Sequence, residues 1–580
     1  MSRDDADRRE FLKAVGGAAA TGTLAATAGC AGNTAETDTP GSGDSTETET
    51  GGGSSDVSGT LVYARGDHPQ NYDPQQTTNG EVAKVANQVF DSLIQFEPGS
   101  GGALADSLAT DYSLEGTTAT LTLREGVTFH DGEEFTAADA RATVRRFTDE
   151  EYDYYLGNEN RSGYGAFTFG NWVESIDAAD DYELTFELTQ QFAPFLRNLA
   201  MFAAAILSEN QIESYEGGGE PQVALGGEPV GTGPFEFAEL DNENSRVLLE
   251  ANTDYWGDGP NVERVVFREI GENSTRASSV INGESHITDN LDSQSFRQLQ
   301  NSDSAELLSK NGINVGYMAF NLARREEFRS QAVRQAVSHA VDTQAIVDDI
   351  YQGFAANADQ PLPPDVAGHN DDVEPYPTDK DEAESLLEEA GVEPFEFELA
   401  TFSNPRGYNP SPIQTANQVK SDLEEIGFTV NVNQFSTFSS YLDYTDQGKH
   451  DACFLGWYTD NADPDNFLYV LLDPKVPMDA VPEGQDWVSR DTEGYSDLNA
   501  AGWANTEYME TVREAQATYD ADSRQSLYEE ASQIAHDEAP WVFLDYAQTL
   551  RGIHQSVTRD TFTVSSVGGP YLETVEIDSQ

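Results

Sequence analysis

The chain of 580 residues carries 103 acidic against 32 basic side chains, a net charge of −71, with 38% hydrophobic and 10% aromatic residues. So large an excess of acid excludes a nucleic-acid partner, which needs clustered Lys and Arg, while the hydrophobic content supports folded cores rather than an acidic disordered chain. The acid is spread along the whole length, the pattern of a solvated surface suited to molar salt, and only two cysteines, Cys30 and Cys453, leave no room for a disulfide scaffold.

The first sixty residues read as an address and a tether. DRREFLK, residues 7–13, places the pair Arg8-Arg9 before Phe11-Leu12 in the manner of a twin-arginine export signal. The small-residue run that follows is too short and too weakly apolar to span a bilayer. It ends at TAGC, residues 27–30, where small residues before a cysteine resemble a lipobox and make Cys30 the expected lipidated residue; ordinary signal cleavage is the alternative. Residues 31–58 are Gly, Ser, Thr and acid with almost nothing to bury, a disordered linker.

From Thr60 the texture changes to that of a folded body. TLVYA at 60–64 reads as a strand, ATLTLR at 119–124 and YELTFEL at 182–188 alternate as half-buried strands do, and REGVTFHDG at 124–132 predicts a further strand after a tight turn. FTAADARATVRRF at 135–147 predicts a helix: Thr136 and Asp139 form a capping box, and Ala140, Val144 and Phe147 recur at helical spacing. A Gly/Pro-marked turn into a strand follows at 229–240, and another strand at 262–270. A helix at 378–391 closes on Gly391, and a helix at 413–427 closes on Gly427 before the strand FTVNV. Mixed strands and helices, with helix-then-strand units in the second half, indicate an α/β fold with several sheets.

The stretch Gly456 to Phe467, GWYTDNADPDNF, sets Trp457 and Tyr458 beside Asp460, Asp463 and Asp465, with Asp451 just upstream. Metal binding, catalysis and a pocket for a charged ligand are the three readings. A calcium loop beginning at Asp460 fails, because Ala462 and Pro464 fall on ligand positions and Asp465 stands where glycine is required; one beginning at Asp463 puts Leu468 at the glycine position. The histidines show no metal-ligand spacing, and there is no P-loop, dinucleotide fingerprint or nucleophile elbow. A catalytic carboxylate pair stays open, since such pairs meet in space and not in sequence.

Many linked segments together resemble the extracytoplasmic solute-binding proteins of peptide-type ABC transporters, family 5, and among them the dipeptide-binding proteins. They are ALADSLA with LREGVTFHDGEEFTAADA, APFLRNLAMFAAAIL, PVGTGPFEF followed by NTDYWGDGP, VRQAVSHAVDTQAIVDDIYQG, LLEEAG and GWYTDNADPDNF. The resemblance runs from about Thr60 to near the C-terminus. It implies a two-lobed periplasmic-binding-protein-like fold with a hinge and an extra small domain inserted in the first lobe. The implied divisions are lobe I at 59–100, 229–321 and 546–580, the inserted domain at 101–228 and lobe II at 322–545. It further implies that Asp460 takes a ligand's α-ammonium and that Arg406, in RGYNP at 406–410, takes its carboxylate. Main-chain groups of Gly456 and Trp457, and of Thr78 and Gly80 in TTNG, are implied to pair with the ligand backbone. Asp463 and Asp465 read as turn formers around Pro464, and Cys453 as a buried free thiol. The expected protein is no enzyme and needs no metal or cofactor. It is a lipid-tethered monomer at the outer membrane face, passing short peptides to permease subunits and their ATPases. An oligosaccharide or nickel-complex receptor of the same fold, and a surface hydrolase, are the competing functions.

Overall fold

The computed structural model describes residues 57–157, 162–214 and 225–578. Arg8, Arg9, Cys30 and nearly all of the linker expected at 31–58 lie outside them. Among the described residues no helix is long and apolar enough to cross a membrane.

One twelve-stranded sheet organises most of the chain, and it falls into two halves. In the first lobe the order is Phe235–Asp241, Arg246–Ala251, Arg264–Glu269, Thr60–Arg65 and Ile287–Thr288, followed by the C-terminal half of the long strand Trp541–His554. In the second lobe it is Thr429–Phe435, Glu396–Phe402, Ala452–Tyr458 and Asn314–Phe320, followed by the N-terminal half of the same long strand. Residues 541–545 of that strand pair with Asn314–Phe320, and residues 548–554 pair with Ala305–Asn311. The chain therefore crosses between lobes at two adjacent places, 312–313 and 546–547. The first of these corrects the boundary expected after 321: a hydrophobic run such as Asn314–Phe320 shows that a strand is buried, not which sheet buries it. Each half has its own core. Leu61, Phe235, Val247 and Phe267 belong to the first, and Met318, Phe320, Leu399, Phe454 and Trp541 to the second.

A separate four-stranded antiparallel sheet, in the order Ala109–Glu115, Thr118–Leu123, Glu183–Leu188, Val173–Asp180, lies within the stretch 101–228. The helix Ala137–Thr148 covers a core of Leu121, Leu184 and Phe186 with Ala140, Val144 and Phe147. Its capping box is formed as the spacing predicts, with the Thr136 N–H donating to Asp139 at 2.9 Å; a cap of this kind stabilises a helix end by about 1 kcal/mol. The strand expected at 124–132 is absent. Gly126 and Gly132 adopt φ of 76° and 89°, which turns the chain twice and leaves only an isolated bridge between Thr128 and Glu134. Val127 and Phe129 still enter the core, which accounts for the alternating pattern.

This small-sheet region touches the second lobe along a seam of polar contacts. The Ala193 N–H donates to the Gln516 carbonyl at 2.9 Å, the Asn461 amide donates to Asn198 at 2.8 Å, and the Tyr519 hydroxyl donates to the Gly116 carbonyl at 2.6 Å.

Candidate functional site

The strand Ala452–Tyr458 carries the GWY segment along the second-lobe sheet. It pairs fully with Asn314–Phe320 on one side, but with Glu396–Phe402 only at Ala452 and Cys453 on the other. Residues 454–458 therefore present a strand edge that no neighbouring strand covers. The Thr459 N–H donates to the Ile313 carbonyl, so by the alternation of an antiparallel ladder the polar groups of Trp457 face the paired side and those of Gly456 face the edge. The Phe454 carbonyl, in phase with Gly456, accepts from the Tyr441 hydroxyl on that side. Trp457 offers its side chain instead, half-buried, its indole N–H on Asn466 at 2.7 Å.

The loop 406–409 packs over this strand. Arg406 and Asn409 exchange two backbone hydrogen bonds of 3.0 Å, making a tight turn, and Tyr408 lies on Gly456 so closely that a Cβ there would fall 2.3 Å from its ring. Glycine at 456 is thus what brings the Arg406 loop onto the GWY strand. The Arg406 guanidinium stacks on Phe438, 3.7 Å from the ring centre. Its Nε is buried with no hydrogen-bond partner, and among the described residues no carboxylate pairs it.

The four clustered carboxylates separate by partner. Asp451 is held by Arg324 at 2.9 Å and by the Glu398 N–H at 3.0 Å. Asp463 receives Arg524 through two bonds of 2.7 and 3.0 Å; burial would raise its pKa, but Arg524, with Arg197 beyond it, holds it below the usual carboxylate range. Asp463 also accepts the Asp465 N–H at 2.9 Å, forming the turn around Pro464. Asp465 accepts from Gln516 at 2.9 Å, and burial, then the charge of Asp463, pushes it up to about 7. Among the described residues Asp460, like Asp465, has no ion-pair partner. The Tyr164 hydroxyl donates to one of its oxygens, while the other, Oδ2, is buried with no partner among the described residues. Burial pushes this carboxyl up to about 7, against the pull of the Tyr164 hydrogen bond.

Tyr164 comes from the small-sheet region, so Asp460 sits where that region meets the second lobe. The expected loop near the start of the body lies close by: a Cβ built on Gly163 would come 3.9 Å from the Thr78 methyl. Thr78 and Gly80 are both exposed, Asn79 between them caps the helix Gly80–Val89, and the space around Gly80 is open. Tyr164 escaped the sequence reading because it stands almost three hundred residues from its partner in no recurring local pattern. Cys453 is a free, buried thiol pushed up to about 12 by burial. Among the described residues no group of three His, Cys, Asp or Glu is placed to hold a metal.

The unspent polar groups of this region are thus the Asp460 Oδ2, the Arg406 Nε and the strand edge at 454–458. The dipeptide-binding protein of Escherichia coli is 28% identical over 530 residues, covering 90% of this chain and 95% of its own. Heme-binding protein A of Haemophilus influenzae is 30% identical over 496 residues, covering 83% and 86%. The structure of the ABC transporter-associated periplasmic binding protein DppA from Helicobacter pylori, in complex with the peptide STSA, superposes with a TM-score of 0.76 at 30% identity over 90% of this chain and 99% of that one. The model for the middle region of the bacterial extracellular solute-binding proteins, family 5, matches residues 101–478, and the chain belongs to that family, whose members are transport receptors and not enzymes.

Proposed function

We propose that the protein is a membrane-tethered extracellular receptor of an ABC importer that binds short peptides between its lobes and delivers them to the permease. The observation that carries this reading is Asp460, whose buried Oδ2 lacks a partner while every neighbouring acid in the motif has one. A peptide's free α-ammonium supplies the missing donor. Arg406 takes the peptide carboxylate, for which its fork is matched, and the outward-facing groups of Gly456, with Thr78 and Gly80 across the cleft, take the peptide backbone. The peptide-binding relatives support the ligand class.

Calorimetry in molar KCl with paired free and N-acetylated dipeptides tests this. The free peptide binds and the acetylated one binds at least about tenfold more weakly, the ammonium–carboxylate pair being lost. Affinity for the free peptide follows a bell in pH. It falls below about 7 because the proton on Asp460 must then be displaced, and above about 8 because the peptide amine becomes neutral. Each limb steepens to about tenfold per pH unit. Equal affinity for the two peptides, or binding by oligosaccharides and no peptide, defeats the proposal.

The tether rests on TAGC at 27–30 and the export route on Arg8-Arg9. Cys30→Ser in the native host then releases the body into the medium, as immunoblotting of cells and supernatant shows. Full retention of that variant in a strain lacking the permease removes the lipid anchor from the proposal. The acidic surface fits a molar-salt medium, in which the Debye length shrinks to a few ångströms.

A further inference from the structure

We infer that a second ligand site, for a small organic carboxylate, lies in the seam between the small-sheet region and the second lobe. A cavity of about 630 Å³ opens there, walled by Gln190 and Gln191 on one side and by Tyr469, Lys475, Arg513 and Gln516 on the other. That volume lies inside the range of about 300–1,000 Å³ typical of small-molecule sites. In a chain where acids outnumber bases 103 to 32, this cavity is lined by two bases and no acid.

Lys475 supplies the unspent charge. Among the described residues its ammonium makes no hydrogen bond or ion pair, and its nearest aromatic neighbour is the Tyr469 ring at 5.4 Å. The two carboxylates behind it are already engaged: Asp473 by Arg513 at 2.7 and 2.8 Å and by the Lys475 N–H at 2.6 Å, Asp465 by Gln516 at 2.9 Å. Burial lowers the Lys475 pKa even though both acids work to raise it. The Lys475 backbone is held at φ 61°, a left-handed conformation that a non-glycine residue adopts at a cost. The helix Thr506–Ala517 ends at this cavity, and three of its last-turn carbonyls, which would repel an anion, are spent. Glu514 accepts from Thr518 at 2.8 Å, Ala515 from Arg524 at 3.1 Å and Gln516 from Ala193 at 2.9 Å.

The occupant follows from the lining. Lys475 and the amides of Gln190 and Gln191 donate to a carboxylate, and Tyr469, Val476, Pro477 and Ala517 enclose a short apolar body. Such a ligand touches both sides of the seam next to the bond from Ala193 to Gln516 and the bond from the Phe192 N–H to the Tyr519 hydroxyl at 3.3 Å. It therefore favours the joined arrangement, and by reciprocity it tightens binding at the Asp460 site; this coupling, unlike the carboxylate site itself, rests on the peptide reading.

Calorimetry of the whole body in molar KCl, with benzoate as probe and the neutral isostere benzamide as control, tests both parts. Benzoate binds and benzamide does not. Lys475→Gln and, independently, the exposed wall substitution Gln191→Glu each weaken benzoate at least about tenfold. Saturating benzoate tightens a bound dipeptide about fivefold or more in the wild type and leaves it unchanged in either variant. Absence of benzoate binding, equal binding of benzamide, or wild-type affinity in both variants overturns the site. A dipeptide affinity indifferent to benzoate overturns the coupling alone. If no peptide binds while benzoate does, the peptide reading fails and the carboxylate site stands.

Discussion

Arg524→Ala destabilises the protein by about 3–5 kcal/mol, the cost of leaving a buried charge without its partner. The Asp463 side chain is 1% exposed and holds Arg524 through two short bonds, while the other cation in reach, Arg197, stands at 3.8 Å. Removing Arg524 leaves a carboxylate in the protein interior with most of its compensation gone. Denaturant unfolding in molar KCl measures the loss. The double variant Arg524→Ala, Asp463→Asn recovers much of it, because no uncompensated charge then remains. A loss below about 1 kcal/mol in the single variant, the range of a surface ion pair, would show that the pair contributes far less than its burial requires.

Asp460→Asn has the opposite profile, leaving stability nearly intact and cutting affinity. Asparagine keeps the shape and still accepts a hydrogen bond, so the loss falls in the lower half of the 2–5 kcal/mol typical for truncating a buried charged pair, about 30-fold or more in Kd. The loss applies to peptides with a free amino end. N-acetylated peptides, already weak on the wild type, change little. The acid limb of the pH profile disappears as well, since the group that must lose its proton is gone. A change of less than about threefold for the free peptide, or an acid limb that survives the substitution, would remove Asp460 from the proposed ligand contacts. The contrast with Arg524→Ala is the useful one: within one twelve-residue motif, the two expected results separate Asp463, which holds the fold, from Asp460, which we propose holds the ligand.

Local signals in the sequence were read well where the fold is made by neighbours in the chain. The alternation of ATLTLR and YELTFEL became two paired strands, and Thr136 with Asp139 became a formed capping box. The same kind of signal misled at 124–132, where alternation reflects Val127 and Phe129 entering a core across two glycine turns. Partnership at a distance was not legible. Four aspartates near Trp457 look alike in sequence, and what separates them is which cation, hydroxyl or amide the fold delivers: Arg524 from the helix Ala521–Glu538, Tyr164 from the small-sheet region, Arg324 from beyond the lobe crossing, and Gln516 from the helix Thr506–Ala517. The Arg406 and GWY motifs were readable as pieces, and the structure adds the contact between Tyr408 and Gly456 that joins them.

The crossing between lobes constrains how the cleft works. One connection runs inside the strand Trp541–His554 and the other is the two-residue link 312–313 between strands, and where they lie side by side the Asn314 amide donates to the Ala547 carbonyl at 2.7 Å while its oxygen accepts the Ala547 N–H at 2.9 Å. Gly312 approaches Ala547 so closely that any Cβ would strike its carbonyl oxygen, at 2.0 Å. A hydrogen-bonded ribbon resists stretch and in-plane shear but yields to twist. The two half-sheets can then turn relative to each other by a torsion of this ribbon that keeps the bonds between Asn314 and Ala547.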